Sequence, residues 1–173
     1  MKNVNSARRL DAKDIRILEI IQTQGRISKK ALARAVGLSL TPCFERLQRL
    51  EREGFIREYQ GILDAQRLGS FVWIYTEISL ARHRAADFSR FEAIVLEMPE
   101  VLACDAVGGG IDYMLKIVAR DVAHYQKLID DLLAHDIGVD KYFTYIVTKR
   151  VKGNSALPLA QLLQGSKGEA GTR

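Results

Sequence analysis

The stretch GLSLTPCFERLQRLEREGFI, residues 37–56, decides the fold of the first third of this 173-residue chain. At 100° per residue, one side of a helix that starts after Ser39 carries Cys43, Leu47 and Leu50. Thr41, Glu45, Gln48, Arg49 and Arg52 fall on the opposite side. The pattern predicts an amphipathic helix in which Cys43 packs in the core as a small hydrophobe. A reactive thiol is the alternative, but no histidine partner lies near it in sequence.

Two helices are predicted upstream of this one. Asp11 suits the N-cap of a first helix that runs toward Gly25, and Ser28 suits the N-cap of a second that ends at Gly37. A tight turn at residues 37–39 then joins the second helix to the third, which is the arrangement of a helix-turn-helix. A three-helix bundle with a polar face is the alternative that the spacing leaves open.

The positive charge is concentrated in the same third of the chain. Residues 1–60 carry 13 Lys and Arg against 7 Asp and Glu, whereas residues 61–173 carry 13 against 14. A basic module joined to a neutral one indicates a part that binds a polyanion, such as double-stranded DNA. An uneven solvated surface would give the same count.

The rest of the chain reads as strand, helix, two strands, helix and strand. This βαββαβ order predicts an α+β ferredoxin-like sandwich with two helices on one face of an antiparallel sheet. In the first strand, Phe71, Trp73 and Tyr75 alternate with aliphatic residues, so both faces of the sheet are apolar there. A second subunit is the simplest cover for the outer face, and we therefore expect a homodimer.

The predicted domains are a helix-turn-helix domain at 1–61, a linker at 62–70 with a short strand before it, a ferredoxin-like domain at 71–152 and a partly disordered tail at 153–173. The tail has room for one or two helical turns at 157–163. No segment is apolar enough to cross a bilayer, and the two cysteines and three histidines lack metal-ligand spacing. These features indicate a cytoplasmic protein without a metal or other cofactor.

A glycine turn provides the candidate ligand site. Gly108, Gly109 and Gly110 expose backbone N–H groups that could cradle a carboxylate, and Asp112 could meet an ammonium group. Such a pair would suit an amino acid or a similar zwitterion. An ordinary flexible hairpin with a solvated aspartate is the alternative.

Residues 10–59 closely resemble the DNA-binding domain of the Lrp/AsnC transcription regulators, through the motif GLSxTPCxERxxRLExxGFI. Leu40 departs from the proline of many relatives. The resemblance implies a winged-helix-like helix-turn-helix domain whose recognition helix is residues 39–52, including Ser39, Thr41 and Glu45, with Lys29 and Lys30 near phosphate. Of the remaining side chains, Gln48 and Arg49 suit base edges, while Arg46 and Arg52 suit phosphates.

The resemblance extends to about residue 152. It implies a ligand-sensing domain in which Gly109, Asp112 and Tyr113 match an effector motif, Tyr145 is linked to the effector response, and dimers assemble further into tetramers or octamers. The stretches SLTPCFERLQRLEREGFI and YFTYIVTKRVK resemble regulators of ectoine breakdown, which makes a diaminobutyrate-type effector worth testing. We therefore expect a sequence-specific regulator and not an enzyme.

Two alternatives share these features. Haem-precursor decarboxylases resemble the same two-domain fold, but they need basic and histidine side chains around a tetrapyrrole, and three scattered histidines supply no obvious pocket. A sensing module that has lost DNA binding is the other, and the positive charge of the first third counts against it.

Overall fold

The computed structural model describes residues 10–135, 137–153 and 156–164. Its described residues form two compact units. One contains those up to Ile62 together with those from Lys152 onward, and the other contains Leu63–Val151.

The first unit contains the three expected helices: α1 (Ala12–Ile21), α2 (Lys29–Val36) and α3 (Leu40–Arg52). Asp11 caps α1 and forms a capping box with Asp14, and the Ser28 side chain accepts a hydrogen bond from the backbone of Ala31. Gly37 has φ +70°, a left-handed conformation that glycine adopts without steric cost and that ends α2 before the turn. The helix-turn-helix prediction is confirmed.

The core of this unit confirms the helical stripe of α3. Cys43 is only 2% exposed, and Leu47 and Leu50 are also buried, against Ile17 of α1 and Leu32 of α2. Burial raises the pKa of the Cys43 thiol, which disfavours the thiolate that a nucleophile needs. Cys43 therefore belongs to the core.

Two local expectations differ from the structure. Helix α1 ends at Ile21 rather than near Gly25, and the hydroxyl of Thr23 donates back to the Ile20 carbonyl. The short strand expected after α3 is not formed at residues 55–60. The backbone N–H groups of Phe55 and Ile56 donate instead to the Leu50 carbonyl, so they close the end of α3 and are not free to pair with a strand.

After a short helix α4 (Ala65–Leu68), the second unit contains β1 (Val72–Leu80), α5 (Ala85–Leu96), β2 (Val101–Ala106), β3 (Tyr113–Ala119), α6 (Val122–Ala134) and β4 (Val139–Ile146). The sheet is antiparallel with the order β2-β3-β1-β4, which is the predicted ferredoxin-like topology. Inward residues of β1 and β3, such as Ile74 and Leu115, form one core with Phe91 of α5 and Ile129 of α6.

The other face of the sheet is rich in exposed aromatic side chains. Tyr75 of β1 lies directly opposite Tyr145 of β4, and Phe143 lies two residues before Tyr145 in the same strand, with all three exposed. Trp73 has the guanidinium of Arg150 over its ring, 3.9 Å from the centroid. A sheet face of this composition is typical of an interface with another chain.

The described part of the C-terminal segment returns to the first unit. The Gln22 side chain donates to the Leu157 carbonyl (2.8 Å) and accepts from the Leu157 N–H (2.9 Å). Helix α7 (Leu159–Gln164) follows and contacts α1, with Leu159 packed on the core of the first unit. The helical turns expected at 157–163 are present, whereas residues 154–155 and 165–173 of the predicted tail lie outside the described residues.

Candidate functional site

The turn at residues 37–39 sets the direction of α3. The Leu38 N–H donates to the Ala33 carbonyl, which ties the turn to the end of α2, and Ser39 takes the N-cap position in an extended conformation. The Ser39 side chain makes no capping hydrogen bond, so its hydroxyl is not used to start the helix. Ser39 is exposed, as are four predicted DNA-contacting side chains of α3: Thr41, Glu45, Gln48 and Arg52.

Two arginines of α3, Arg46 and Arg49, are held by one carboxylate of α1. The Asp14 side chain is only 1% exposed, and its two oxygens lie 2.8 Å from Arg46 Nη1 and 2.6 Å from Arg49 Nη2. Arg46 Nη1 also donates to Asp11 Oδ2 at 2.6 Å. The helical wheel places Arg49 on the outward face opposite the core stripe, and this prediction is wrong for its guanidinium. The Asp14 carboxylate, 35 residues away in sequence, draws that group back toward α1.

These contacts fix the charges at the junction of α1 and α3. The hydrogen bond to Asp11, which is the larger cause, and the hydrogen bond to Asp14 both raise the pKa of Arg46, so it stays a cation. The backbone N–H of Asp14 is the main cause that holds the pKa of Asp11 below its ordinary value, with Arg46 adding to it. Arg46 and Arg49 thus position α3 on α1, and less of their charge is available to a ligand.

The two lysines predicted to contact phosphate begin α2. Both are exposed, and the Lys29 ammonium lies over the Phe44 ring at 3.6 Å from its centroid. A cation on an aromatic face keeps its charge at the surface, so Lys29 is held beside α3 without being neutralised. Lys30 is exposed next to it.

The glycine turn lies between β2 and β3. The Val107 N–H donates to the Asp112 carbonyl and the Asp112 N–H donates to the Ile78 carbonyl, which closes the loop and fastens it to β1. A Cβ added at Gly108, Gly109 or Gly110 would meet no atom within 4 Å, and Gly109 has φ +144°. The turn is therefore open, and its shape depends on glycine at residue 109.

The Asp112 carboxylate is already engaged. Its Oδ2 accepts from the Leu80 N–H at 2.7 Å, and its Oδ1 lies 3.1 Å from His83 Nε2. The His83 side chain is 63% exposed and that of Asp112 is 16% exposed. The sequence placed Asp112 at a ligand's ammonium but gave no sign of His83, because the two residues are 29 apart and no spacing rule links them.

Tyr113 and Tyr145 occupy two different environments. Tyr113 is 2% exposed, its ring packs on Phe91 with centroids 4.5 Å apart, and its hydroxyl donates to Glu92. Burial and the Glu92 carboxylate raise the pKa of Tyr113. The exposed Tyr145 hydroxyl donates to Glu77 (3.1 Å) on the outer sheet face.

The predicted effector residues therefore form no single cluster in one subunit. Tyr145 lies opposite Tyr75, whereas Asp112 is bonded to Leu80, five residues further along β1. At about 3.3 Å per residue, this separation is roughly 16 Å along the strand. Gly108 to Tyr113 are close together at one end of the sheet, and Tyr145 belongs to the aromatic face.

None of the helices in the described ranges is both long and apolar enough to span a membrane.

Comparison with known proteins relates both units to transcriptional regulators. Residues 10–57 match the model of a winged helix-turn-helix DNA-binding domain, and residues 74–157 match the Lrp/AsnC ligand binding domain. The transcriptional regulatory protein DoeX of Halomonas elongata is 48% identical over 148 residues, which are 86% of this chain and 94% of that protein. The leucine-responsive regulatory protein of Escherichia coli K12 is 39% identical over 86% of this chain and 90% of its own length.

Solved structures agree. A transcriptional regulator from Neisseria meningitidis in complex with L-Met has a TM-score of 0.82 and 33% identity, covering 88% of this chain and 99% of that one. An AsnC family transcriptional regulator from Agrobacterium tumefaciens has a TM-score of 0.83 and 31% identity over the same shares. These relatives are regulators, so the decarboxylase alternative is set aside.

Proposed function

The chain belongs to the Lrp/AsnC family of DNA-binding transcriptional regulators, and from this premise we propose that it regulates its targets from the cytoplasm in response to an amino acid or related metabolite. The observation that carries the DNA-binding role is the outward face of α3. It presents exposed Thr41, Gln48 and Arg52 beside the two lysines of α2, while the apolar side of the helix is buried. Hydrogen-bonding and cationic side chains on one helix are what base reading and phosphate binding require.

The ion pairs of Asp14 change the division of roles on this face. We assign base reading to Gln48 and Thr41, and phosphate contacts to Arg52 with the lysines. Arg49 and Arg46 act first as positioning residues, because their guanidinium groups are held by Asp14. In a dimer, two such helices would meet half-sites about 34 Å apart, or a multiple of that distance.

Fluorescence anisotropy with the upstream DNA of the protein's own gene and a scrambled duplex, across a salt titration, tests this role. A preference of about 10³-fold or more with a steep salt slope is expected of a specific regulator. Arg52→Ala should weaken binding to both duplexes and lower the slope by about one, whereas Gln48→Ala should mainly reduce the preference. Equal weak binding of the wild type to both duplexes would refute the assignment.

The outer sheet face supports a homodimer, and the family resemblance supports its further assembly into tetramers or octamers. Tyr75, Phe143 and Tyr145 are large, exposed and adjacent on this face. Phe143→Lys places a charge among them and should shift the sedimentation coefficient toward the monomer. The matched change Leu133→Lys, at a partly exposed apolar residue of α6, should not. A monomeric wild type would refute the proposal.

The effector that we propose is an amino acid or a close derivative of one. The Neisseria relative is described with L-Met, which supports an amino acid as the class of ligand. The resemblance to regulators of ectoine breakdown adds L-2,4-diaminobutyrate and its acetylated forms as compounds to test. Asp112→Ala should keep DNA affinity but abolish the change in affinity that the effector causes. A full response in that variant would remove Asp112 from the site.

A further inference from the structure

Two loops meet at the end of β1, beside the glycine turn. The connection from β1 to α5 contains Arg82, His83 and Arg84, and His83 Nε2 lies 3.1 and 3.2 Å from the two oxygens of Asp112. Asp112 in turn holds the Leu80 N–H and closes the turn through its backbone. His83 is therefore fixed next to the turn by the aspartate of the predicted effector motif.

The side chains of that motif are poorly placed to touch a ligand themselves. Tyr113 is buried in the core, and Asp112 is largely covered and already paired. His83 is the exposed member of the group, and its ring also lies 5.9 Å from Phe88, which in turn packs edge-on against Tyr113 at 6.1 Å. Both side chains of the motif thus support His83, and His83 faces solvent.

The groups left open around His83 favour an anion. In the described part of the chain, the N–H groups of Gly108, Gly109 and Gly110 donate to no protein acceptor. Within the same ranges, Arg82 and Arg84 form no ion pair. This holds also for Asp87, the acidic residue in the first turn of α5, which pairs with neither arginine. Backbone donors that no protein group occupies, an exposed imidazole held by the aspartate that closes the turn, and two arginines that flank this histidine in sequence are a combination suited to a carboxylate.

We propose that His83 is an effector-binding residue that receives the ligand's carboxylate together with the N–H groups of the glycine turn, and that Asp112 is a positioning residue that orients the imidazole. The inference rests on the proposed function, since it concerns the same effector site. It changes the role first assigned to Asp112: the aspartate acts through the histidine, and the exposed imidazole makes the contact.

The test compares an acid with its amide. Isothermal titration calorimetry on the full chain is carried out with the standard L-amino acids and L-2,4-diaminobutyrate, and then with the carboxamide of the tightest binder. The wild type should prefer the acid by at least about tenfold, because a charge-assisted hydrogen bond is lost in the amide. His83→Ala should lower this ratio toward the preference that the glycine N–H groups provide alone, and a merely structural histidine would leave it unchanged.

Asp112→Asn checks the positioning role while it keeps an oxygen that can accept from the Leu80 N–H. It should lower the acid-to-amide ratio, and combining it with His83→Ala should add little, because both changes remove one contact. His135→Ala, an exposed histidine at the end of α6, is the matched control and should leave the ratio as in the wild type.

The outcomes separate this inference from the proposed function. An unchanged ratio in His83→Ala, or additive effects of the two variants, would overturn the inference even if DNA affinity still responds to the ligand. Failure of every amino acid to bind the wild type would also overturn it, while the DNA preference measured by anisotropy would stand. Binding that follows the expected ratios but leaves DNA affinity unchanged would support the inference and refute the regulatory response.

Discussion

Replacing Asp14 should strongly destabilise the DNA-binding unit. The carboxylate is 1% exposed, contacts Arg46 and Arg49 at 2.6 to 2.8 Å, and accepts the Asp11 N–H at 3.0 Å in the capping box of α1. Removing one partner of a buried ion pair costs about 3–5 kcal/mol, because it leaves an uncompensated charge. The two guanidinium groups are about one-third exposed and can recover some hydration. We therefore expect Asp14→Ala to cost about 3 kcal/mol.

Native-state hydrogen exchange followed by mass spectrometry measures this cost in the full chain. Peptides from α1 to α3 should exchange roughly a hundredfold faster in Asp14→Ala than in the wild type, since each 1.4 kcal/mol is a factor of ten. Trp73 is the only tryptophan and belongs to the second unit, so its fluorescence during urea unfolding should be unchanged.

Glu19→Ala provides the matched control. Glu19 pairs with Arg16 at 3.2 Å, but the side chains are 27% and 56% exposed, so the loss should stay below about 0.5 kcal/mol. The two variants are compared by the loss of hydrogen-exchange protection in α1 to α3. If the loss in Asp14→Ala exceeds that in Glu19→Ala by less than about 1 kcal/mol, the reasoning that Asp14 holds α3 on α1 is wrong.

Three further predictions follow from single contacts. Gln22→Ala removes both hydrogen bonds to Leu157 and should lower hydrogen-exchange protection at the end of α1 by about 1 kcal/mol. Unchanged protection would contradict the docking of the C-terminal segment on α1. Burial raises the pKa of Cys43, and desolvation with nearby carboxylates raises that of the half-buried Cys104 to about 11, so both thiols should react slowly with Ellman's reagent at pH 8 and quickly in urea. Fast reaction of the native protein would contradict these raised pKa values. The pKa of Asp11 lies below its ordinary 3.8 in the folded state, so its stabilising effect is complete above about pH 4 and is lost as pH falls through the folded value. The melting temperature should therefore fall less steeply between pH 5 and 2.5 for Asp11→Asn than for the wild type, and parallel curves would contradict this.

Much of the fold was predictable because its signals are local. The caps at Asp11 and Ser28, the left-handed Gly37 and the buried side of α3 each depend on residues within about four positions of one another. The order of strands and helices in the second unit then leaves few ways to form one antiparallel sheet. The strand expected after α3 failed because two backbone N–H groups closed the helix end instead, a competition that alternation of side chains does not reveal.

The sequence by itself thus determined most of the helices and strands, which sides of them are buried, and where the basic module and the glycine turn occur. Only the tertiary structure decided which side chains are free to act. Asp14 reaches Arg46 across 32 residues, Asp112 reaches His83 across 29, and Gln22 reaches Leu157 across 135. Charge pairing and burial depend on distances in space, and helical or strand periodicity describes only the direction in which a side chain leaves its own element.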